Sequence, residues 1–142
     1  RHARILIAGR NFGCGSAREG AVYALHDWGF RAVIAPGYAD FFKANCLQNG
    51  VLPVELPEPV VAQLTRDVEN NPGATISIDL GEQVVVAPDG SRHRFEIEPS
   101  RKEQLLLGLD DIGVTLQRAG SIEEFEKKYF ALVPWLAPKR AA

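Results

Sequence analysis

The sequence contains no methionine, two cysteines and three histidines in 142 residues. It also has no apolar run approaching the ~18 residues that a membrane-spanning helix needs. Cys14 and Cys46 are too few for a disulfide framework, which implies a reducing, cytoplasmic setting. Two thiols alone cannot hold a structural zinc or an iron–sulfur cluster. There is no Cys-x-x-Cys and no His-Glu-x-x-His, and His2, His26 and His93 are scattered. Basic residues are not in excess: 16 Lys and Arg stand against 18 Asp and Glu, a formal net charge of −2. That balance argues against a general nucleic-acid binder, which needs a basic footprint. No signal peptide is evident. A chain starting at Arg1 with no Met reads as an incomplete product.

What is present is ordinary globular material, 46% hydrophobic and 24% charged, of a length suited to one domain over residues 1–142. Ala3 to Ala8 is a short apolar run and reads as a buried strand. Three glycines in seven residues, Gly9 to Gly15, mark a loop. Ala17 to Trp28 carries one apolar helical face, ended by Gly29. Arg31 to Ala35 reads as a second buried strand. Tyr38 to Asn49 reads as a second helix with Phe41, Phe42 and Cys46 inward, closed by Gly50. Val51 to Leu56 reads as a third strand. Strand–helix–strand–helix–strand at this spacing implies right-handed crossovers and a parallel sheet.

Beyond Leu56 the pattern changes. Pro59 to Asn70 reads as an amphipathic helix with Val60, Leu64 and Val68 in register. Thr75 to Leu80 alternates apolar and polar residues. Pro88-Asp89-Gly90 between Gln83–Ala87 and His93–Ile97 signals a hairpin. Ser100 to Gly108 reads as a short helix, Asp110 to Gln117 fits helix or strand, and Ser121 to Val133 reads as a helix. The tail over 134–142 is expected to be loose. The fold class is therefore α/β, a mainly parallel sheet flanked by helices with an added β-hairpin.

The chemistry concentrates in Asn11-Phe-Gly-Cys-Gly-Ser-Ala-Arg-Glu19, between the first strand and the first helix. Ligands of open α/β sheets bind outside the carboxyl ends of the strands. Glycines allow close backbone approach, a helix start offers unpaired N–H donors, and Arg18 offers a planar fork suited to a carboxylate. Together these describe a small anion site. It is neither a dinucleotide fingerprint, since Arg18 stands where the third glycine belongs, nor a P-loop, since Ala21-Val22 follow Gly20. Ser16-x-x-Glu19 also has the spacing of a capping box, as do Ser100-x-x-Glu103 and Ser121-x-x-Glu124. Spacing alone leaves Ser16 open between a cap and a site hydroxyl.

Asn11–Leu56 resembles the swivel domain of the aconitase superfamily, and within it the small subunits of 3-isopropylmalate dehydratase. The family pattern runs Asn-Phe-Gly-x-Gly-Ser-Ser-Arg-Glu-His, then Gly-Phe-x-x-Val-Ile-Ala and Phe-Ala-x-Ile-Phe-x-x-Asn. Asn71-Pro72-Gly73 and Gly108-Leu-Asp-Asp-Ile-Gly-Val-Thr-Leu116 extend the likeness over nearly the whole chain. The resemblance implies a swivelling β/β/α fold. It also implies a hydro-lyase that isomerises 2-isopropylmalate and 3-isopropylmalate by dehydration and rehydration, in leucine biosynthesis. It makes Ser16 the catalytic residue, whose alkoxide takes the proton next to a carboxylate. Gly15, Ser16, Ala17 and Arg18 become substrate-binding, with Arg18 on a carboxylate. It places a 4Fe-4S cluster on a partner large subunit and no cofactor on this chain, with a di- or tricarboxylate as substrate and no nucleic acid or membrane as partner. The family's second serine is Ala17 here and its histidine is Gly20. An upstream family segment, with its Asn-x-Asp-Thr-Asp pattern, precedes the point where this sequence starts. Other substituted malates, such as a methylmalate or a homoaconitate-like acid, fit the same machinery. A non-catalytic anion-binding module is the alternative from another class.

The remaining polar residues read more plainly. Asn45 and Asn49 fall on the inward side of the second helix and are expected to satisfy backbone groups. Cys14 is expected to be a small packing residue of the loop.

Overall fold

The structure, a computed structural model, describes residues 3–138. His2 and the last residues of the tail, 139–142, lie outside them. The chain divides after Gly108 into two compact units.

The first unit is built on three parallel strands, β1 (Ile5–Ile7), β2 (Ala32–Ala35) and β3 (Leu52–Glu55), in the order β1-β2-β3. Ile5 pairs with Ala32, and Ile34 with Val54. All four residues of β2 are buried, as the unbroken apolar run requires of a central strand covered on both faces. Period-two alternation then separates two cores. Val33 packs with Val22 of α1 (Gly20–Trp28), with Phe42 and Cys46 of α2 (Asp40–Gln48), and with Val51. Ala32, Ile34, Leu52 and Val54 face the other way. They meet Val61 and Leu64 of α3 (Glu58–Asn70) together with Val85, Ala87 and Phe95.

Val85 belongs to a second sheet of three antiparallel strands, β4 (Ser77–Asp79), β5 (Val84–Val86) and β6 (Arg92–Arg94). The expected hairpin is therefore the β5–β6 half of a separate sheet, and the alternating Thr75–Leu80 segment supplies its third strand, pairing Ile78 with Val85. The unit is layered as helices, parallel sheet, then antiparallel sheet with α3, an α/β arrangement of two sheets. Helix α4 (Pro99–Leu107) ends the unit, with Gly108 in the left-handed conformation.

Several expectations need correction. Phe42 is 2% exposed but Phe41 is 70% exposed, because adjacent helical residues point about 100° apart and only one can face the core. Val61 and Leu64 are the buried residues of α3, whereas Val60 is only partly covered and Val68 is exposed. None of the three Ser-x-x-Glu patterns forms a capping box. α4 begins at Pro99, so Ser100 is already helical, and its hydroxyl donates to Glu98. The last helix also starts two residues before its serine, and α1 starts four residues after Ser16.

The second unit holds α5 (Asp111–Leu116), α6 (Ala119–Leu132) and a 3-10 turn over Pro134–Leu136. Asp110 decides the ambiguous segment in favour of helix: its carboxylate accepts the Gly113 N–H at 2.6 Å, a true N-cap. In α6, Lys128 donates to Glu124 at 2.7 Å, and Phe125 stacks on Tyr129 with ring centroids 5.6 Å apart. No helix among the described residues is long and apolar enough to cross a membrane.

Candidate active-site loop

The loop after β1 sits at the carboxyl edge of the parallel sheet, beside the turn that follows β2. Its first half is pinned by backbone pairing. The Phe12 N–H donates to Gly37 O at 3.1 Å, and the Ala39 N–H donates to Phe12 O at 3.0 Å, forming an isolated parallel bridge between Phe12 and Tyr38. The Tyr38 hydroxyl reaches down to two strand carbonyls, Val33 O at 2.7 Å and Val54 O at 3.0 Å. Burial holds the Tyr38 phenol well above its usual range, so it stays a neutral donor. Arg10 pairs with Glu58 at the start of α3.

The second half of the loop lies over α2. Gly13 has φ +83°, and a Cβ there would fall on the ring and Cβ of Phe42. Phe12 meets the same ring edge-on, at 5.2 Å between centroids. Glycine is required at 13 for both reasons, conformation and space. Three residues along α2 from Phe42, the Asn45 side-chain amide donates to Ala17 O at 3.2 Å. The Asn49 amide in turn donates to Asn45 O at 2.8 Å. Both asparagines bond backbone carbonyls, as their inward positions imply.

Between these fixed points, the Ser16 N–H donates to Gly13 O at 3.4 Å, and the Ser16 Oγ accepts the Arg18 N–H at 3.1 Å. Ser16 is half-buried, while Gly15, Ala17 and Arg18 are exposed. Glu19, in helical conformation, precedes α1 and makes no side-chain cap; its carboxylate accepts the Tyr23 hydroxyl at 2.6 Å. That bond, with the carboxylate's charge, raises the Tyr23 pKa. It also engages the acid next to Arg18, and the Arg18 guanidinium has no ion-pair partner among the described residues. The hydroxyl at 16 is thus set by the loop and by the backbone of Arg18, not by the first turn of α1. A hydroxyl oxygen already aligned with an N–H is prepared to carry negative charge, and an unneutralised guanidinium two residues away suits a carboxylate. Local spacing did not disclose the Asn45 tether, which joins residues 28 apart.

The two thiols differ sharply. Cys14 is exposed and Cys46 buried, and burial pushes the Cys46 thiol up to about 12. In the native protein at pH 8, a soluble thiol reagent is expected to label Cys14 within minutes and to reach Cys46 only after denaturant is added. Mass spectrometry of the labelled peptides checks this; equal rates at both sites would mean that α2 does not seal its inner face. No three His, Cys, Asp or Glu residues come together to hold a metal among the described residues. The donors among the described residues do not fit a cluster.

Comparison with known proteins follows the same layout. Residues 1–59 match the family model for the aconitase C-terminal domain, 62–99 the model described as LeuD_N, and 111–139 the C-terminal domain of the 3-isopropylmalate dehydratase small subunit. Two 3-isopropylmalate dehydratase small subunits are half identical to the chain. That of Paramagnetospirillum magneticum is 50% identical over 96% of this chain and 68% of its own length. That of Methylibium petroleiphilum is 52% identical over 96% of this chain and 63% of its own length. The chain spans about two thirds of the length of these curated relatives. A crystal structure of 3-isopropylmalate dehydratase from Methanocaldococcus jannaschii superposes with a TM-score of 0.65 at 25% identity, covering 87% of this chain and 70% of that one. Half of all residues shared along almost the full sequence, on the same fold, is far more than a common architecture requires: the chain belongs to the hydro-lyase family of 3-isopropylmalate dehydratase small subunits.

Proposed function

We propose that the chain works as the small subunit of a dehydratase that interconverts 2-isopropylmalate and 3-isopropylmalate, in leucine biosynthesis, and that its part is to grip and deprotonate the substrate. The observation that carries this reading is the pairing of Ser16 and Arg18: a hydroxyl oxygen held by a backbone N–H, and an exposed guanidinium with no carboxylate partner among the described residues, in one short loop. Arg18 binds one substrate carboxylate through its planar fork. Gly15 and Ala17 present backbone and little side chain, so the substrate can approach closely. The Ser16 oxygen, as an alkoxide, takes the proton from the carbon adjacent to a carboxylate; hydroxide leaves the neighbouring carbon, and a double bond forms between the two. Rehydration runs the same steps in reverse with the positions exchanged. The Arg18 N–H and guanidinium favour the anionic oxygen and the charge that develops on the carboxylate.

The 4Fe-4S cluster belongs in this reading to a large partner subunit. When bound there it supplies Lewis-acid assistance to loss of the hydroxyl. A reducing, cytoplasmic compartment suits an exposed thiol at Cys14 beside the site.

Anaerobic co-purification with a candidate large subunit, followed by assay against a panel of substituted malates, tests the assignment. Turnover of 2-isopropylmalate well above that of a methylmalate is expected. A preference for the methylmalate would move the substrate assignment, and no turnover of any member by a cluster-loaded complex would favour an anion-binding module.

A further inference from the structure

We infer that Asn45 is the positioning residue of the active-site loop, and that α2 is the bench on which Ser16 and Arg18 are aligned. This rests on the function proposed above and adds a residue to it. The loop between Gly13 and Gly20 forms no strand, and α1 starts too late to define it. Its internal bonds include the Ser16 N–H to Gly13 O and the Arg18 N–H to Ser16 Oγ, and contacts outside the loop fix where these sit. Two of these outside contacts lie on one face of α2, three residues apart: Phe42 beneath Gly13 and Asn45 bonded to Ala17 O.

The second contact falls on the peptide between the two site residues' neighbours. Holding the Ala17 carbonyl fixes the plane of the Ala17–Arg18 peptide, and the N–H of that same peptide is the donor to Ser16 Oγ. One amide plane therefore receives the Asn45 hydrogen bond on its oxygen and gives a hydrogen bond to the Ser16 hydroxyl from its nitrogen. Loss of the first lets the plane rotate, which misaligns the second and swings the Arg18 Cα. Asn45 touches no substrate in this scheme; it acts through the Ala17–Arg18 peptide. Its own backbone carbonyl is anchored by the Asn49 side chain, and the neighbouring Cys46 is fully buried, so the bench itself has little freedom.

The test uses the reconstituted complex. Asn45→Ala is expected to lower kcat/KM by about 10- to 100-fold, since a misplacement of about 1 Å can cost that much. Both kcat and KM should worsen, because Ser16 and Arg18 are displaced together. Asn45→Gln keeps a donor and is expected to recover most of the loss, and Asn45→Asp, of the same shape but with no donor at neutral pH, is expected to behave like Asn45→Ala. The Arg18 amide, which donates to Ser16 Oγ, should exchange faster with deuterium in Asn45→Ala while those of β2 do not. Wild-type kcat and KM in Asn45→Ala and Asn45→Asp would overturn the inference, as would equal losses in Asn45→Ala and Asn45→Gln that track a fall in melting temperature. Ser16→Ala in the same assay separates the two levels. If Ser16→Ala is inactive and Asn45→Ala is normal, only the positioning role fails; if Ser16→Ala is fully active, the reading beneath it fails as well.

Discussion

Ser16→Ala is expected to reduce turnover by about 10²- to 10⁴-fold, the range typical of losing a positioned proton acceptor. Stability should scarcely change. The Oγ accepts one hydrogen bond, from the Arg18 N–H, at a half-buried position. Losing such a bond costs about 1 kcal/mol, or about 2–4 °C in Tm for a chain of this size. The two roles open to this serine give opposite results. A residue that only tidied the loop would lose that small stability and keep its turnover. A base would keep the fold and lose the reaction. Steady-state assay of the reconstituted complex beside a thermal melt distinguishes them, and preserved turnover with a lowered Tm would remove Ser16 from the chemistry.

The other large effect is structural in origin. Gly13→Ala must place a methyl group inside contact distance of the Phe42 Cβ and Cγ and 2.6 Å from Cδ2, with the backbone at φ +83°. The left-handed conformation costs about 1–2 kcal/mol for a residue with a Cβ, and overpacking a filled core about 1–3 kcal/mol more. Phe42 cannot swing clear, because it is 2% exposed and edge-on to Phe12. A loss of about 3–4 kcal/mol is expected, seen as a fall of roughly 10 °C in Tm, and activity should drop with it because the loop is lifted from α2. Combining Gly13→Ala with Phe42→Ala should cost less than the two changes summed, since Cγ and Cδ2, two of the three atoms that the new methyl meets, are then gone. Strict additivity in urea denaturation would show that the clash is not the cause.

How much of this was legible beforehand depended on the range of the forces involved. The β1–α1–β2–α2–β3 order could be read because each strand is a short apolar run and each helix is closed by glycine. Gly29, at φ 112° with its N–H on His26 O and Leu25 O, ends α1 as its position implied. Those are local signals. The start of α1 differs from the one that Ser16-x-x-Glu19 implies, because a tertiary bond from Asn45 holds the Ala17 carbonyl and the Tyr23 hydroxyl, one helical turn on, takes the Glu19 carboxylate. Phe41 and Phe42 are equally apolar, so composition could not choose between them; the ring that fits beneath Gly13 went inward. Ser16 and Arg18 stood out by residue type and by their place after a strand. The inward position of Asn45 implied a bond to backbone, but not which carbonyl, because its partner lies 28 residues away in the sequence.

The Phe12–Tyr38 bridge carries a consequence for affinity. It continues the strand pairing past the end of β1, so, in the function proposed above, it shortens the stretch of backbone that an incoming acid would have to immobilise. The conformational entropy of the bridged part is then surrendered when the chain folds rather than when a ligand arrives, and less of the energy of a carboxylate contact would be spent on ordering the loop.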